Sequence, residues 1–300
     1  MINFRLPKRG IASLTTASSM LSIILLIGLL APGSMRSTTA SAAGGPVHIY
    51  IPFIKNGNQA VTPPPTGPLP VGQTGNWRLI FGDEFNGTSL DSSNWSAAWD
   101  GITGIYGPVN TVETACYDSS NIIFPGDGSL HLQLESKPQS CKGTTRPYSG
   151  ALIHSNSKYQ FTYGYYEVRA YLPAASSGAI ANWPATWNNG QSWPTDGEND
   201  TMEGLSGNAC YHFHYAVDNN TAGNIGACAN GTFTGWHIFA SNWEPGSITY
   251  YYDGVKVGQI NTGITSSPHY LILDYTQGGW GGPTLVPAEM QIDYVRVWQH

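Results

Sequence analysis

From Asn76 onward the apolar residues of this chain recur at every second position. "LHLQLES" (Leu130 to Ser136) puts its leucines on one face, and "YGYYEVRAYLP" (Tyr163 to Pro173) and "DYVRVW" (Asp293 to Trp298) alternate in the same way. A period of two belongs to a strand with one buried face. No window of eleven or more residues carries helical apolar spacing. Asp253-Gly254, between the runs of "SITYYYDGVKVGQI", tolerates the positive φ angles of a tight hairpin turn. With 36 glycines and 20 prolines breaking up the 300 residues, the expected fold is all-β, a single β-sandwich over residues 76–300.

The first 43 residues read differently. Arg5, Lys8 and Arg9 precede an apolar run, Met20 to Leu30, and "TTASAA" (Thr38 to Ala43) supplies small residues for cleavage. We expect residues 1–43 to be a secretion signal, with an uncleaved anchor as the alternative. Residues 44–75 form a linker. Its five prolines between Val61 and Pro70 make a semi-extended spacer, and its apolar stretch "VHIYIPFIK" (47–55) has no assigned role.

Residues 1–43 hold four basic side chains and no acid, so their removal takes the net charge from −6 to −10. Such a chain lacks the clustered Lys and Arg that nucleic acid or an anionic membrane demands. We therefore expect a secreted, extracellular monomer that binds neither. Its four cysteines, an even count in an exported chain, suggest two disulfides. Three pairings exist; Cys116–Cys141 and Cys210–Cys228 are favoured because each closes a local loop. All ten tryptophans lie after residue 76. A sandwich core does not need so many, and the surplus suggests a surface for flat apolar ligands such as sugar rings.

One stretch concentrates charge in a chain of which only 11% is charged. "WPTDGENDTMEG" (Trp193 to Gly204) places Glu198, Asp200 and Glu203 within six residues. On a regular strand Glu198 and Asp200 share a face and Glu203 takes the other. A β-bulge near Thr201–Met202 would return Glu203 to the first face. Two carboxyls held about 5–5.5 Å apart suit double-displacement glycoside hydrolysis, in which one attacks while the other donates a proton. Crowding pushes their protonation equilibria apart. On spacing alone, an acidic surface strand or a calcium ligand set reads the string equally well.

The wider text resembles glycoside hydrolase family 16 and its laminarinase-like, endo-β-1,3-glucanase-type branch. That branch carries an E-x-D-x-x-E strand with a methionine at the bulge. "IFGDEFNGTSLDSSNW" (Ile80 to Trp95), "NIIFPGDGSLHLQLES" (Asn121 to Ser136), "NWPATW" (Asn182 to Trp187), "YLILDYTQGGW" (Tyr270 to Trp280) and "DYVRVW" are similar to other family segments, in order, over 76–300. The resemblance implies a concanavalin-like jelly roll with a concave sugar-binding cleft. It implies Glu198 as nucleophile, Glu203 as acid/base and Asp200 as assisting carboxylate, in a retaining endo-hydrolase of β-1,3- or mixed β-1,3/1,4-glucan. The alternatives are a hydrolase of an agarose- or carrageenan-type galactan and a non-catalytic carbohydrate-binding module.

This chain departs from the family pattern at Asn199 and Thr201, which stand where Ile or Val is usual and need polar partners inside the sandwich. Asp274 replaces the usual Asn and, by alternation, adds a fourth acid facing the cleft. Trp187 and Trp193, then Trp183 and Trp280, are the expected sugar-stacking residues. His212 and His214 share a face, with Phe213 opposite. Both are expected to bind sugar or carboxylate; as a metal pair they lack a clear third ligand in the sequence. Catalysis is expected to need no cofactor. The resemblance places a structural calcium at Glu84, Gly128 and Asp293.

Overall fold

The computed structural model describes residues 67–97, 105–218 and 221–300. The expected export signal and the apolar segment 47–55 lie outside the described residues, as does most of the proline-rich stretch. Two sheets face each other. The outer, convex sheet runs in the spatial order Val255–Ile260, Ser247–Tyr252, Gly235–Glu244, Gly164–Leu172, Ala288–Gln299, Leu130–Leu134, Ile122–Ile123, with Arg78–Asp83 also paired to Ala288–Gln299. The concave sheet runs Ala222–Cys228, Asn208–Ala216, Glu198–Leu205, Trp183–Asn189, Tyr270–Thr276, Tyr148–His154, Ala115–Asp118, Ile105–Tyr106. Its pairs are antiparallel except Ala115–Asp118 beside Tyr148–His154. Among the described residues the only helix is a single 3₁₀ turn, Ser119–Asn121.

The alternation read from the sequence is realised side chain by side chain. Leu130, Leu132 and Leu134 enter the inter-sheet core with Val168, Leu172, Val295 and Val297, where they meet Phe213, Leu271 and Leu273 of the concave sheet. Asp253 and Gly254 carry φ values of 49° and 75° and turn Ser247–Tyr252 into Val255–Ile260. Both expected disulfides form; Cys210 and Cys228 are direct cross-strand partners.

The end of the expected linker behaves as part of the body. Trp298 Nε1 donates to the Pro68 carbonyl at 2.8 Å, and Val71 N donates to Glu167 Oε2 at 2.9 Å. Residues 67–75 thus lie along the convex sheet, and the spacer ends earlier than composition suggested. Glu167 is buried in this contact and also accepts from Tyr294 Oη.

The two sheets also share a polar seam. Asn199 and Thr201, both buried, turn inward. Asn199 Nδ2 donates to Ser241 Oγ at 3.0 Å, Thr201 Oγ1 lies 2.8 Å from the same hydroxyl, and Tyr250 Oη donates to Asn199 Oδ1 at 2.8 Å. The partners that the polar substitutions required are supplied by the opposite sheet. Tyr252 Oη reaches the backbone oxygens of Thr201 and Cys210, each at 3.1 Å. A hydroxyl buried at 2% exposure therefore serves a stretch of backbone where the ladder is irregular. Tyr252→Phe strands those carbonyls and should cost roughly 1–3 kcal/mol. In urea unfolding this is expected as a lowered midpoint with unchanged m; an unchanged midpoint would remove Tyr252 from the support of this segment.

Candidate active site

The irregularity lies where the acids require it. Asp200 pairs with His212 and Glu203 with Cys210, so three steps on the acid strand match two on its neighbour. On the other side Trp187 pairs with Asp200 and Thr186 with Met202. Both neighbours step over Thr201. This is the expected bulge: Thr201 and Met202 both turn inward, fully buried, while Glu198, Asp200 and Glu203 remain on the cleft face. Gly204 follows because a Cβ there would sit 2.6 Å from Pro184 Cδ. Its absence lets the Trp183–Asn189 strand press close and brings Trp183 Nε1 to Glu203 Oε1 at 3.0 Å.

The cleft over this face has a volume of about 840 Å³. Trp193 and Trp280, on its rim, are 52% and 57% exposed. Trp183 and Trp187, at 4% and 6%, line the same cleft but are nearly covered. The expected ranking of stacking residues is thereby corrected. Trp187 packs with Tyr106, Tyr117, Leu152, Tyr270 and Ile272 in a second apolar cluster on the cleft side of the sheet. Trp183 holds Glu203 and meets Trp280 edge-on at 5.7 Å. The segment carrying Trp193 is tied down through Asp196, whose backbone oxygen accepts from Thr265 Oγ1 and lies 2.7 Å from His269 Nε2. Burial lowers His269 to about 4, so it is neutral there.

Asp274 faces the cleft side as alternation suggested, but not as a sugar contact. It is 5% exposed, and it accepts from Trp187 Nε1 at 2.7 Å and Tyr117 Oη at 3.1 Å. Beside it lies Glu113, which sequence reading did not single out. Glu113 is buried, accepts from Asn110 N at 2.9 Å, and joins Tyr117, Asp274 and the three strand acids around one small cavity. The signal existed: in "VETACYD" a period of two places Glu113 and Tyr117 on one face.

His212 and His214 reach the acids, as expected. His212 Nδ1 is 3.4 Å from Glu203 Oε2; His214 Nε2 is 3.2 Å from Asp200 Oδ2 and 3.6 Å from Glu198 Oε1. Burial first, then repulsion from Asp200, raises Glu198 to about 8, with His214 opposing. Burial, then Glu203, pushes Asp200 well above the ordinary aspartate value. Burial, then Glu113, does the same to Asp274, and burial lifts Glu113 to about 7. These carboxyls therefore keep their protons to higher pH than free acids do.

At the expected calcium positions the acidic side chains are paired with arginine. Glu84 accepts from Arg296 through both carboxylate oxygens at 2.7 Å, and Asp293 accepts from Arg169 at 2.7 Å. An ion at either acid would have to break a charge-assisted pair. Gly128 lies beside the Asn86 side chain.

Comparison with known proteins agrees with this geometry. Residues 111–296 match the profile of glycosyl hydrolases family 16. The chain belongs to this family. It is 29% identical to glucan endo-1,3-beta-glucosidase A1 of Niallia circulans over 78% of its own length. It is 30% identical to a keratan-sulfate endo-1,4-beta-galactosidase of Sphingobacterium multivorum over 75%, and 28% identical to a beta-glucanase of Rhodothermus marinus over 74%. It spans 39%, 56% and 85% of those relatives respectively. Its fold matches the laminarinase catalytic domain of Thermotoga maritima with a TM-score of 0.61 at 24% identity, covering 75% of this chain and 98% of that one. The jelly-roll sandwich expected from the sequence is thus found.

Because Glu113 titrates higher in the folded chain than its ordinary 4.5, the fold binds more protons than the unfolded chain between pH 4.5 and about 7. Its contribution is present at low pH and lost as pH rises through that window. Glu113→Gln should therefore raise stability at pH 8 by roughly 3 kcal/mol relative to its effect at pH 4. Thermal melts at the two pH values check this; an equal effect at both would show that Glu113 is ionised in the fold.

Proposed function

We propose that this chain is a secreted, retaining endo-glycoside hydrolase acting on β-1,3- or mixed β-1,3/1,4-glucan. The observation that carries the reading is the bulge at Thr201, which aligns Glu198, Asp200 and Glu203 along one cleft floor. Glu198 attacks the anomeric carbon while Glu203, oriented by the Trp183 N–H, protonates the departing glycosidic oxygen. Water then cleaves the glycosyl-enzyme, with Glu203 acting as base. Burial, and then Asp200 between them, raises the cost of ionising Glu198; attack uses its ionised form, whose charge is relieved by bond formation. Trp193 and Trp280 offer exposed ring faces along the cleft for sugar stacking.

Among the described residues lining the cleft, none is Lys or Arg. A sulphated galactan would find no cationic partner there, which favours uncharged glucan over the carrageenan-type alternative. The binding-module alternative is disfavoured because both glutamates are present and are held by neighbours. Export is supported by the basic and apolar start of the chain and by the two disulfides.

The test is release of reducing sugar from laminarin, lichenan, agarose and carrageenan by the purified protein. Laminarin or lichenan is expected to be cleaved internally. Glu198→Gln and Glu203→Gln should each reduce turnover on the order of 10³-fold while glucan binding persists. Cleavage of agarose or carrageenan alone would establish the galactan reading, and no release from any of the four would reject hydrolysis.

A further inference from the structure

Two buried polar atoms in the cleft are left unexplained by the hydrogen bonding around them. Asp200 is 4% exposed, and its Oδ2, though 3.2 Å from His214 Nε2, makes no well-aligned hydrogen bond. His212 Nδ1, 3.4 Å from Glu203 Oε2, has none either. An orphaned buried polar atom costs about 1–3 kcal/mol and calls for a ligand or a function.

The spacing indicates which ligand. Zinc-class ions bind imidazole nitrogen and carboxylate oxygen at about 2.0–2.2 Å in tetrahedral sites, which sets neighbouring ligand atoms roughly 3.4 Å apart. His212 Nδ1 and Glu203 Oε2 stand 3.4 Å apart, and in an adjoining group His214 Nε2 stands 3.2 Å from Asp200 Oδ2 and 3.6 Å from Glu198 Oε1. Asp200, Glu203 and His212 offer three ligand atoms mutually within 4.8 Å, and Glu198, Asp200 and His214 form an adjoining set that shares Asp200. These side chains stand on two paired strands, with Asp200 opposite His212 and Glu198 opposite His214, so the cage is held by the sheet itself. The two histidines thus fall in separate sets, each completed across the sheet by two acids.

We propose that the cleft floor binds a divalent transition-metal ion of the zinc class through Asp200, Glu203 and His212, leaving the fourth position to water. Mixed nitrogen and oxygen donors favour such an ion over magnesium or calcium, which prefer oxygen-only shells. The ion occupies Glu203 and Asp200. If the cleft hydrolyses glucan as proposed above, the ion therefore competes with catalysis and acts as an inhibitor.

The test is Co²⁺ titration of the EDTA-treated, dialysed, tag-free full chain, read by visible absorption. One equivalent is expected to give the intense bands of tetrahedral Co²⁺, and Zn²⁺ should abolish them. His212→Gln and Asp200→Asn should each weaken binding at least tenfold. His237→Gln, on the convex sheet, should not change it. Circular dichroism confirms that each variant is folded. No band at millimolar Co²⁺, or His212→Gln and Asp200→Asn proteins that bind as tightly as the parent, would overturn the site. The readout needs no substrate, so a protein that binds Co²⁺ yet cleaves no glucan rejects only the hydrolase reading, and one that cleaves glucan without binding Co²⁺ rejects only the metal site.

Discussion

A single extra residue organises the concave face. Without the bulge at Thr201 the acid strand would alternate regularly, and Glu203 would point into a core lined by Phe213, Leu271 and Leu273. With it, two consecutive residues turn inward and three carboxyls remain on the cleft side. The cost of the bulge falls on backbone groups lost from the ladder, and the convex sheet meets that cost. Tyr252 serves the carbonyl of Thr201, while Tyr250 and Ser241 serve Asn199 and Thr201. The polar residues that break the family's apolar habit at positions 199 and 201 are therefore part of the same device. They trade apolar packing for a bonded seam between the sheets.

Behind the acid row the protein places more acid, not base. Glu113 and Asp274 sit in the same small cavity as Glu198, Asp200 and Glu203, and among the described residues lining it there is no Lys or Arg. Burial and mutual repulsion keep protons on these carboxyls instead. A cleft of this kind can lend a proton to a leaving group without a full buried charge. Asp274 also anchors the indole of Trp187 and the hydroxyl of Tyr117, which stiffens the floor beneath the strand acids.

Much of this was legible in order along the chain. Alternation gave the strands, Asp253-Gly254 gave a hairpin, cysteine spacing gave the loops that the disulfides close, and the odd spacing of Glu203 demanded a bulge. Exposure was not legible. Whether a tryptophan stacks or is buried depends on cross-strand neighbours, and Trp187 is covered by Tyr106 and Tyr117 from segments some 70–80 positions away in sequence. The ion pairs of Glu84 and Asp293 were not legible for a similar reason: their arginine partners, Arg296 and Arg169, are about 210 and 120 residues distant. Glu113 could have been found by its period-two relation to Tyr117, but nothing local marks it as buried. Residues 67–75 read as spacer because composition does not report that Trp298 and Glu167 bind them.

Glu198 and Glu203 must act together across one glycosidic bond for the cleft to work as proposed. Proton NMR of the first sugar released from a β-linked glucan oligosaccharide measures this directly. A newly formed reducing end that appears as the β-anomer and only later mutarotates is the predicted result. An α-anomer as first product would mean that water attacks in a single step, and that Glu198 is not the nucleophile.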